Sequence, residues 1–352
     1  MGRDNISNRQ WLVMVATALL MPAIELLPTM TARLAGGAGW LSALGAVPVL
    51  LGAGWAANGM RKTERAKGGR ILSNIIIIMY MLWTLLLLML CLRLSAARLE
   101  RIYGRTAAAL CAAAVLAVAV WMALGKLSAF ARAGEIFYLA LVVMSAGILL
   151  LAAFEVEPAN FAVKPAEWSA LPRGAAVTAG LLLNVYPAVA LAGAILPQKG
   201  SGRQRNLWVI VFCAVVMLLL GAVTGCLGPG LTGKLSSPFQ IMVQGLGVQG
   251  AFQRTEALAA GMITLSDLML VGVLLYAWRR MADWIHKGDW SRKSVVPVAA
   301  AAIAGGWVFF FEVETLWDFC STVLPLLGFV LGFLCPILLR CVLSVRGKRS
   351  RG

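Results

Sequence analysis

Long apolar runs constrain the fold of this chain more than any other feature. The segment Ile71–Leu92, for example, contains no charged residue. A helical run of about 20 apolar residues, rising ~1.5 Å per residue, matches the ~30 Å hydrocarbon core of a bilayer. Lipid offers the backbone no hydrogen-bond partner, so each run is expected to be an α-helix.

The sequence predicts an all-α membrane protein with about ten transmembrane helices in a single polytopic domain over residues 1–352. With 61% hydrophobic and 13% charged residues, no soluble domain is expected beside it. Trp11–Met30 is long for the apolar part of a signal peptide, so we expect it to remain as part of the first span. The predicted spans are Trp11–Leu34, Trp40–Ala57, Ile71–Leu92, Thr106–Gly125, Glu135–Phe154, Gly174–Leu196, Leu207–Leu227, Glu256–Trp278, Val295–Phe311 and Phe319–Leu339. Between the seventh and eighth spans, Phe239–Leu246 is predicted to form a short re-entrant or interfacial helix.

The net charge of +16 is better explained by membrane topology than by nucleic-acid binding, because the cations lie in short loops between apolar runs. With the N-terminus inside, most of the 31 Lys and Arg residues fall on the inner side. The last outer loop holds Glu312, Glu314 and Asp318 and no cation. This bias predicts that both termini are cytoplasmic. Four arginines do not follow it and are predicted to lie on an amphipathic outer helix with Glu100: Arg93, Arg98, Arg101 and Arg105.

Enzymatic and metal-binding functions are not expected. The chain has one histidine, His286, and seven scattered cysteines without a Cys-x-x-Cys pair, so a zinc, haem or iron–sulfur site is not predicted. No nucleophile–base arrangement and no phosphate-binding loop are evident. We therefore expect no catalytic residue and no cofactor.

Prolines interrupt the first and the sixth predicted spans. The first span contains Pro22 and Pro28, and the sixth contains Asn184 followed by Tyr186 and Pro187. Proline removes a backbone donor and clashes with the preceding turn. Broken helices at matching positions are typical of transporters built from inverted repeats, which bind their substrates at the breaks. The pattern predicts a 5+5 inverted repeat over about 11–154 and 174–341, with broken first and sixth helices; ordinary proline kinking is the alternative.

A ligand site at these breaks would use residues around both prolines and an aromatic side chain from the third span. Tyr80 and Trp83 lie midway along that span, where aromatic rings either wall a pocket or pack against lipid. The predicted ligand-binding residues are Pro22, Ala23, Ile24, Glu25, Tyr80, Asn184, Tyr186 and Pro187.

Two carboxylates fall inside predicted spans. Glu25 lies ~21 Å beyond Trp11 along a helix, and Asp267 lies near the middle of the eighth span. A charged group at that depth costs about 2.5–3.5 kcal/mol on insertion scales, so each carboxylate should face a cavity or a partner. Glu25 or Asp267 is predicted to bind a proton, a cation or the amino group of a ligand. The hydroxyls of Thr264 and Ser266, which flank Asp267, are expected to ligate a cation or to share a hydrogen bond. The alternative is a neutral carboxyl group hydrogen-bonded between helices.

Short motifs along the chain resemble those of the spore germination permeases, the B subunits of germinant receptors in endospore-forming bacteria. They comprise Ile6–Gln10, Leu27-Pro28, Gly39–Leu41, Gly134–Tyr138 and Phe252–Ala257. The last resembles the family motif at the eighth helix, in which Arg254 and Glu256 take the charged positions. The chain departs from the family in the first span, where Met21 and Ala23 replace glycines and Thr29 replaces an arginine.

This resemblance implies the ten-helix fold of the amino acid–polyamine–organocation superfamily. It also implies residence in the spore inner membrane beside two partner subunits, a larger membrane protein and a lipoprotein. The function implied is the sensing of a small germinant, such as an amino acid, that triggers germination. A proton- or cation-coupled amino acid transporter is the second interpretation, and a scaffold subunit with a vestigial pocket is the third.

Overall fold

The computed structural model describes residues 6–63, 70–185, 202–246, 255–285 and 290–338. Within these ranges all regular secondary structure is helical, and no β-strand is present. The helices up to residue 185 are α1 (Asn8–Ala35), α2 (Ser42–Gly45), α3 (Val47–Thr63), α4 (Arg70–Tyr103), α5 (Arg105–Leu124), α6 (Leu127–Ala152) and α7 (Pro165–Leu183). Short 3-10 helices over Gly36–Leu41 and Pro158–Phe161 join some of them.

The remaining helices are α8 (Gly202–Leu227), α9 (Pro229–Thr232), α10 (Pro238–Gly245), α11 (Thr255–Ile285), α12 (Trp290–Phe309), α13 (Val313–Asp318) and α14 (Leu324–Phe329). Two π-helical turns, Phe319–Val323 and Val330–Leu334, precede and follow α14. The short helix predicted at Phe239–Leu246 is confirmed as α10, whose buried side chains include Phe239, Met242 and Val243.

Seven helical segments of the described residues are long and apolar enough to cross a membrane. They are Asn8–Ala56, Asn74–Glu100, Thr106–Leu124, Leu127–Ala152, Gly202–Leu227, Leu258–Ile285 and Val313–Leu338. The predicted spans Gly174–Leu196 and Val295–Phe311 are not among them. The chain is thus an all-helical, multi-pass membrane protein by length and composition, while ten spans and the inverted repeat stay predictions.

The break predicted in the first helix is absent, because α1 runs as one α-helix from Asn8 to Ala35 with Pro22 and Pro28 inside it. A proline interrupts one backbone hydrogen bond, but neighbouring helices and hydroxyl side chains can satisfy the groups that it frees. Helix α1 is surrounded in this way, since it packs against α6, α7, α8 and α11. The interior position of α1 therefore explains why two prolines do not interrupt it.

Unlike the first predicted span, the sixth coincides with a helix that ends near its predicted break. Helix α7 ends at Leu183, immediately before Asn184. The helix end therefore falls where the sequence predicts a break. Tyr186 and Pro187 lie outside the described residues.

The close approach of α7 and α14 depends on glycine. A Cβ atom on Gly180 would overlap the backbone oxygen of Pro325, so no larger residue fits without a shift of the backbone. Small residues of this kind allow helices in membranes to pack at short distances. The contact joins the end of α7 to the C-terminal helices.

Candidate ion-pair site between three helices

Glu25 lies in the second half of α1, and its side chain is only 2% exposed. The Ser237 hydroxyl, at the start of α10, donates a hydrogen bond to Glu25 Oε1 at 3.2 Å. A buried carboxylate requires a cationic partner or a proton, because transfer of an unpaired charge out of water is costly. One hydroxyl donor does not meet that need.

The partner of Glu25 is Arg98, on α4. Arg98 is 4% exposed, and its Nη1 atom lies 2.5 Å from Glu25 Oε2. The sequence places Arg98 on a separate outer helix, and this prediction is wrong. Helix α4 continues past the predicted end of the third span, Leu92, as far as Tyr103. Arg98 can lie within this helix because carboxylates of two other helices neutralise its charge.

Asp267, on α11, is the second partner of Arg98. It is 1% exposed and accepts a hydrogen bond from Arg98 Nη2. The Ser95 hydroxyl, one helical turn before Arg98, also donates to Asp267. One guanidinium group therefore bridges carboxylates of two different helices. We call Glu25, Arg98 and Asp267 the ion-pair site.

The site is not charge-balanced. With all three groups ionised, its formal charge is that of one carboxylate, and the Arg98 Nε atom is buried without a hydrogen-bond partner. The effective cost of burying each ion is several kcal/mol, which attraction offsets only when the geometry is good. The arrangement thus links α1, α4 and α11 and makes their relative positions sensitive to a change in charge.

The depth of the site follows from the helical rise. Glu25 lies ten residues before the end of α1, or ~15 Å, and Arg98 five residues before the end of α4, or ~8 Å. Asp267 lies twelve residues after the start of α11, or ~18 Å. The site is therefore nearer to these three helix ends than to the opposite ends, and the predicted topology assigns this side to the outside.

Ser266, beside Asp267, connects α11 directly to the backbone of α1. Its hydroxyl donates to the carbonyl of Thr17 at 2.7 Å and accepts from the backbone N–H of Met21 at 3.2 Å. These are the two groups that a regular α-helix joins to each other, so the hydroxyl lies across the turn that precedes Pro22. Insertion of a side chain into the hydrogen-bond ladder is a known cause of local helix bending. The α1 turn and the ion-pair site therefore share adjacent residues of α11.

Two predicted site residues lie elsewhere. The Thr264 side chain is exposed, and its hydroxyl donates to the Ala260 carbonyl of its own helix at 2.9 Å, so it does not line the ion-pair site. Tyr80 precedes Arg98 by 18 residues of α4, or ~27 Å. Its hydroxyl donates to the carbonyl of Leu331 at 2.8 Å and so contacts the C-terminal helices.

Asn184 belongs to the Tyr80 region rather than to the ion-pair site. Its backbone oxygen accepts a hydrogen bond from Trp83 Nε1 at 3.0 Å, and the Asn184 side chain is buried. Trp83 is also buried, which excludes a lipid-facing position for its ring. Trp83 and Asn184 thus join α4 to the end of α7, and Tyr80 joins α4 to the C-terminal π-helical turn.

Of the other predicted residues, Ala23 and Ile24 are fully buried in α1, and Pro22 is partly buried in the same turn. Arg254 lies outside the described residues, as does the side chain of Glu256 at the start of α11. The structure therefore unites Glu25 with Asp267 and keeps both apart from Tyr80 and Asn184.

Arg98 is the main site residue that the sequence analysis missed. One signal for it was present, namely the four arginines that violate the predicted charge distribution. A buried carboxylate needs a cationic partner, and these cations had no topological role. Ser95 and Ser237 carry no comparable signal, because serine is common in every environment of a membrane protein.

No family model matches the chain, and no curated protein matches it.

Proposed function

We propose that the chain is a permease-like membrane subunit of a spore germinant receptor that senses a small germinant such as an amino acid. The observation that carries the proposal is the bridge formed by Arg98 between Glu25 and Asp267. A buried site with more carboxyl groups than guanidinium groups suits the ammonium group of an amino acid. The resemblance of the motifs to the germination permeases supplies the biological context.

The mechanism follows from competition. The amino group of a ligand would displace the Arg98 guanidinium from Glu25 or Asp267, and this would loosen the link between α4 and the other two helices. A ligand shifts a conformational equilibrium only through different affinities for the two states. The two states differ in whether Arg98 pairs with both carboxylates. A ligand amino group binds better where Arg98 has left a carboxylate, so ligand binding favours the state in which α1 and α11 are separated from α4.

The proposal includes the finer features that the sequence predicts. The protein has ten transmembrane helices in a 5+5 inverted repeat, with both termini in the cytoplasm. It resides in the spore inner membrane with a larger membrane subunit and a lipoprotein. The germinant signal then reaches those two subunits when α1, α4 and α11 change their relative positions.

Spores that lack the gene provide the test. A deletion strain would be complemented with the wild-type chain, with Asp267→Asn or with Glu157→Gln, and exposed to single amino acids, sugars and nucleosides. Glu157 is an exposed residue outside the site and serves as the matched control. We expect the wild type and the control to restore germination with at least one compound, and Asp267→Asn to require a higher concentration of it. A deletion strain that germinates normally with every compound would contradict the proposal.

A proton- or cation-coupled amino acid transporter is the second candidate. The unequal number of carboxylates and guanidinium groups favours it, since an ion-coupled site must accept and release a positive charge. Uptake of labelled amino acids into proteoliposomes separates the two candidates. A transporter accumulates the label in response to an ion gradient, whereas a receptor subunit binds it without accumulation.

A further inference from the structure

We propose that the ion-pair site holds one proton, shared between Glu25 and Asp267, when Arg98 bridges them. This inference concerns the resting protein and goes beyond the proposed function, because it requires neither a ligand nor partner subunits. Two buried carboxyl groups face a single guanidinium group, so one negative charge has no partner if both are ionised. A residual charge in this environment is strongly disfavoured, and a proton removes it.

The charged and titratable groups near the site do not supply another positive charge. Helix α4 contributes Arg98, the Cys91 thiol and Arg93, whose guanidinium donates instead to the carbonyls of Phe310 and Phe311. The π-helical turn contributes the Cys320 thiol, and neither thiol can add a positive charge. Helix α10 has no ionisable side chain, since its sequence is PFQIMVQG. Lys234, which precedes this helix, is exposed, and Arg33 of α1 donates to the carbonyl of Gly233 at 2.6 Å. The balancing charge must therefore come from solvent or from outside the described residues.

The other helices packed against α11 direct their charges elsewhere. On α6, Glu135 forms an ion pair with Arg9 at 3.7 Å, and Arg132 is exposed. On α12, Arg292 and Lys293 are exposed. Helix α5 carries no charged residue after its first position. None of these groups is positioned to neutralise Asp267.

The geometry favours a proton over a metal cation. Arg98 already occupies one oxygen of each carboxylate, and the Ser237 hydroxyl donates to the second oxygen of Glu25. A metal cation would need several oxygen ligands directed at one point, and three of the four carboxylate oxygens already accept a hydrogen bond. A proton needs one carboxylate oxygen.

Infrared spectroscopy of the purified full-length protein in detergent tests the inference. The C=O stretch of a protonated carboxyl group is distinct from that of a carboxylate and shifts in deuterated water. We expect the wild type at neutral pH to show one such band. Either Glu25→Gln or Asp267→Asn alone should remove it, because the remaining carboxylate then pairs fully with Arg98.

Changing the guanidinium sharpens the test. Arg98→Gln should increase the band area about two-fold, because both carboxyl groups are then neutral. Arg98→Lys keeps the positive charge and should match the wild type, as should the exposed control Glu157→Gln. The Lys variant keeps the proposal testable if Arg98→Gln does not fold.

Two results would overturn the inference. One is a wild-type spectrum without a protonated carboxyl band that depends on Glu25 and Asp267. The other is a thermal stability that rises when sodium replaces choline in the buffer and no longer does so in Asp267→Asn, which would identify a bound metal cation instead. Neither result depends on germinant binding, so the failure of this inference is distinguishable from the failure of the proposed function.

Discussion

Two buried arginines of α4 lie five residues apart and end in different surroundings. Arg93 donates from Nε to the carbonyl of Phe310 and from Nη2 to that of Phe311, each at 2.9 Å. These carbonyls follow the end of α12, where helix backbones lack internal partners. Its guanidinium also lies 4.5 Å from the centre of the Trp307 ring.

Arg98, in contrast, is surrounded by full negative charges rather than by backbone dipoles. It bridges carboxylates from two helices, and its only described hydrogen bonds are made with them. Arg93 meets one carboxylate, Glu100, at the looser distance of 3.9 Å. Two arginines on one helix therefore have different roles. Arg93 satisfies backbone carbonyls beyond the end of α12, whereas Arg98 links α4 to α1 and α11 by ion pairs.

The largest effect is expected from Arg98→Met. It removes the cation, so that the two buried carboxyl groups lose their shared partner and must take up a second proton, and breaking a buried pair in this way costs about 3–5 kcal/mol. Unfolding in mixed micelles, followed by circular dichroism, gives the change in free energy. A loss below about 1 kcal/mol, the value typical of exposed ion pairs, would show that the carboxylates do not depend on Arg98.

Arg93→Met should cost less than Arg98→Met, about 1–3 kcal/mol, because it leaves carbonyl groups rather than charges without a donor. Phe311 is well exposed, so water can replace part of the lost interaction. The same unfolding measurement applies. If the two variants were equally destabilised, the distinction between the two arginines would fail.

Ser266→Ala is expected to cost about 1–2 kcal/mol, since it removes the hydroxyl that serves the Thr17 carbonyl and the Met21 N–H. Thr264→Ala on the same helix provides the matched control. Its hydroxyl is exposed and bonded to its own helix, so we expect a change within about 0.5 kcal/mol. Equal losses in the two variants would argue against the bridge between α11 and α1.

The single variants Glu25→Gln and Asp267→Asn should have the smallest effects, about 1 kcal/mol or less each, because one ion pair and a neutral hydrogen-bonding amide remain. The double variant should lose much more stability than the two single variants lose together, since it leaves Arg98 buried without a carboxylate. Thermal unfolding of the four proteins forms a double-mutant cycle. If the losses in stability of the two single variants added up to that of the double variant, Glu25 and Asp267 would not share Arg98 as a partner.

The helical architecture was largely predictable, because the length of an apolar run and the thickness of the bilayer leave few alternatives. The end of α4 was not. Hydropathy ends the third span at Leu92, whereas the helix continues to Tyr103 through Arg93 and Arg98. Charges interrupt an apolar pattern whether or not they find buried partners, and those partners lie on helices remote in sequence.

The site was predictable in part for the same physical reason. The depth of Glu25 and Asp267 in apolar segments marks them as functional candidates without any knowledge of contacts. The break in α1 was wrongly predicted, because the effect of Pro22 depends on neighbours such as Ser266 that a local pattern does not reveal. Tyr80 was placed with the carboxylates from its depth and Asn184 from the proline that follows it, and neither signal specifies which face of the bundle a residue occupies.

The stability of the triple variant Arg98→Met, Glu25→Gln, Asp267→Asn tests the central claim most directly, namely that Arg98 serves the two carboxylates. Replacing all three groups removes the buried carboxyl groups that Arg98→Met leaves without a partner. The account predicts that the triple variant recovers most of the free energy of unfolding that Arg98→Met loses. The account would be contradicted if the two amide substitutions lowered the free energy of unfolding of Arg98→Met by the sum of their separate effects in the wild type.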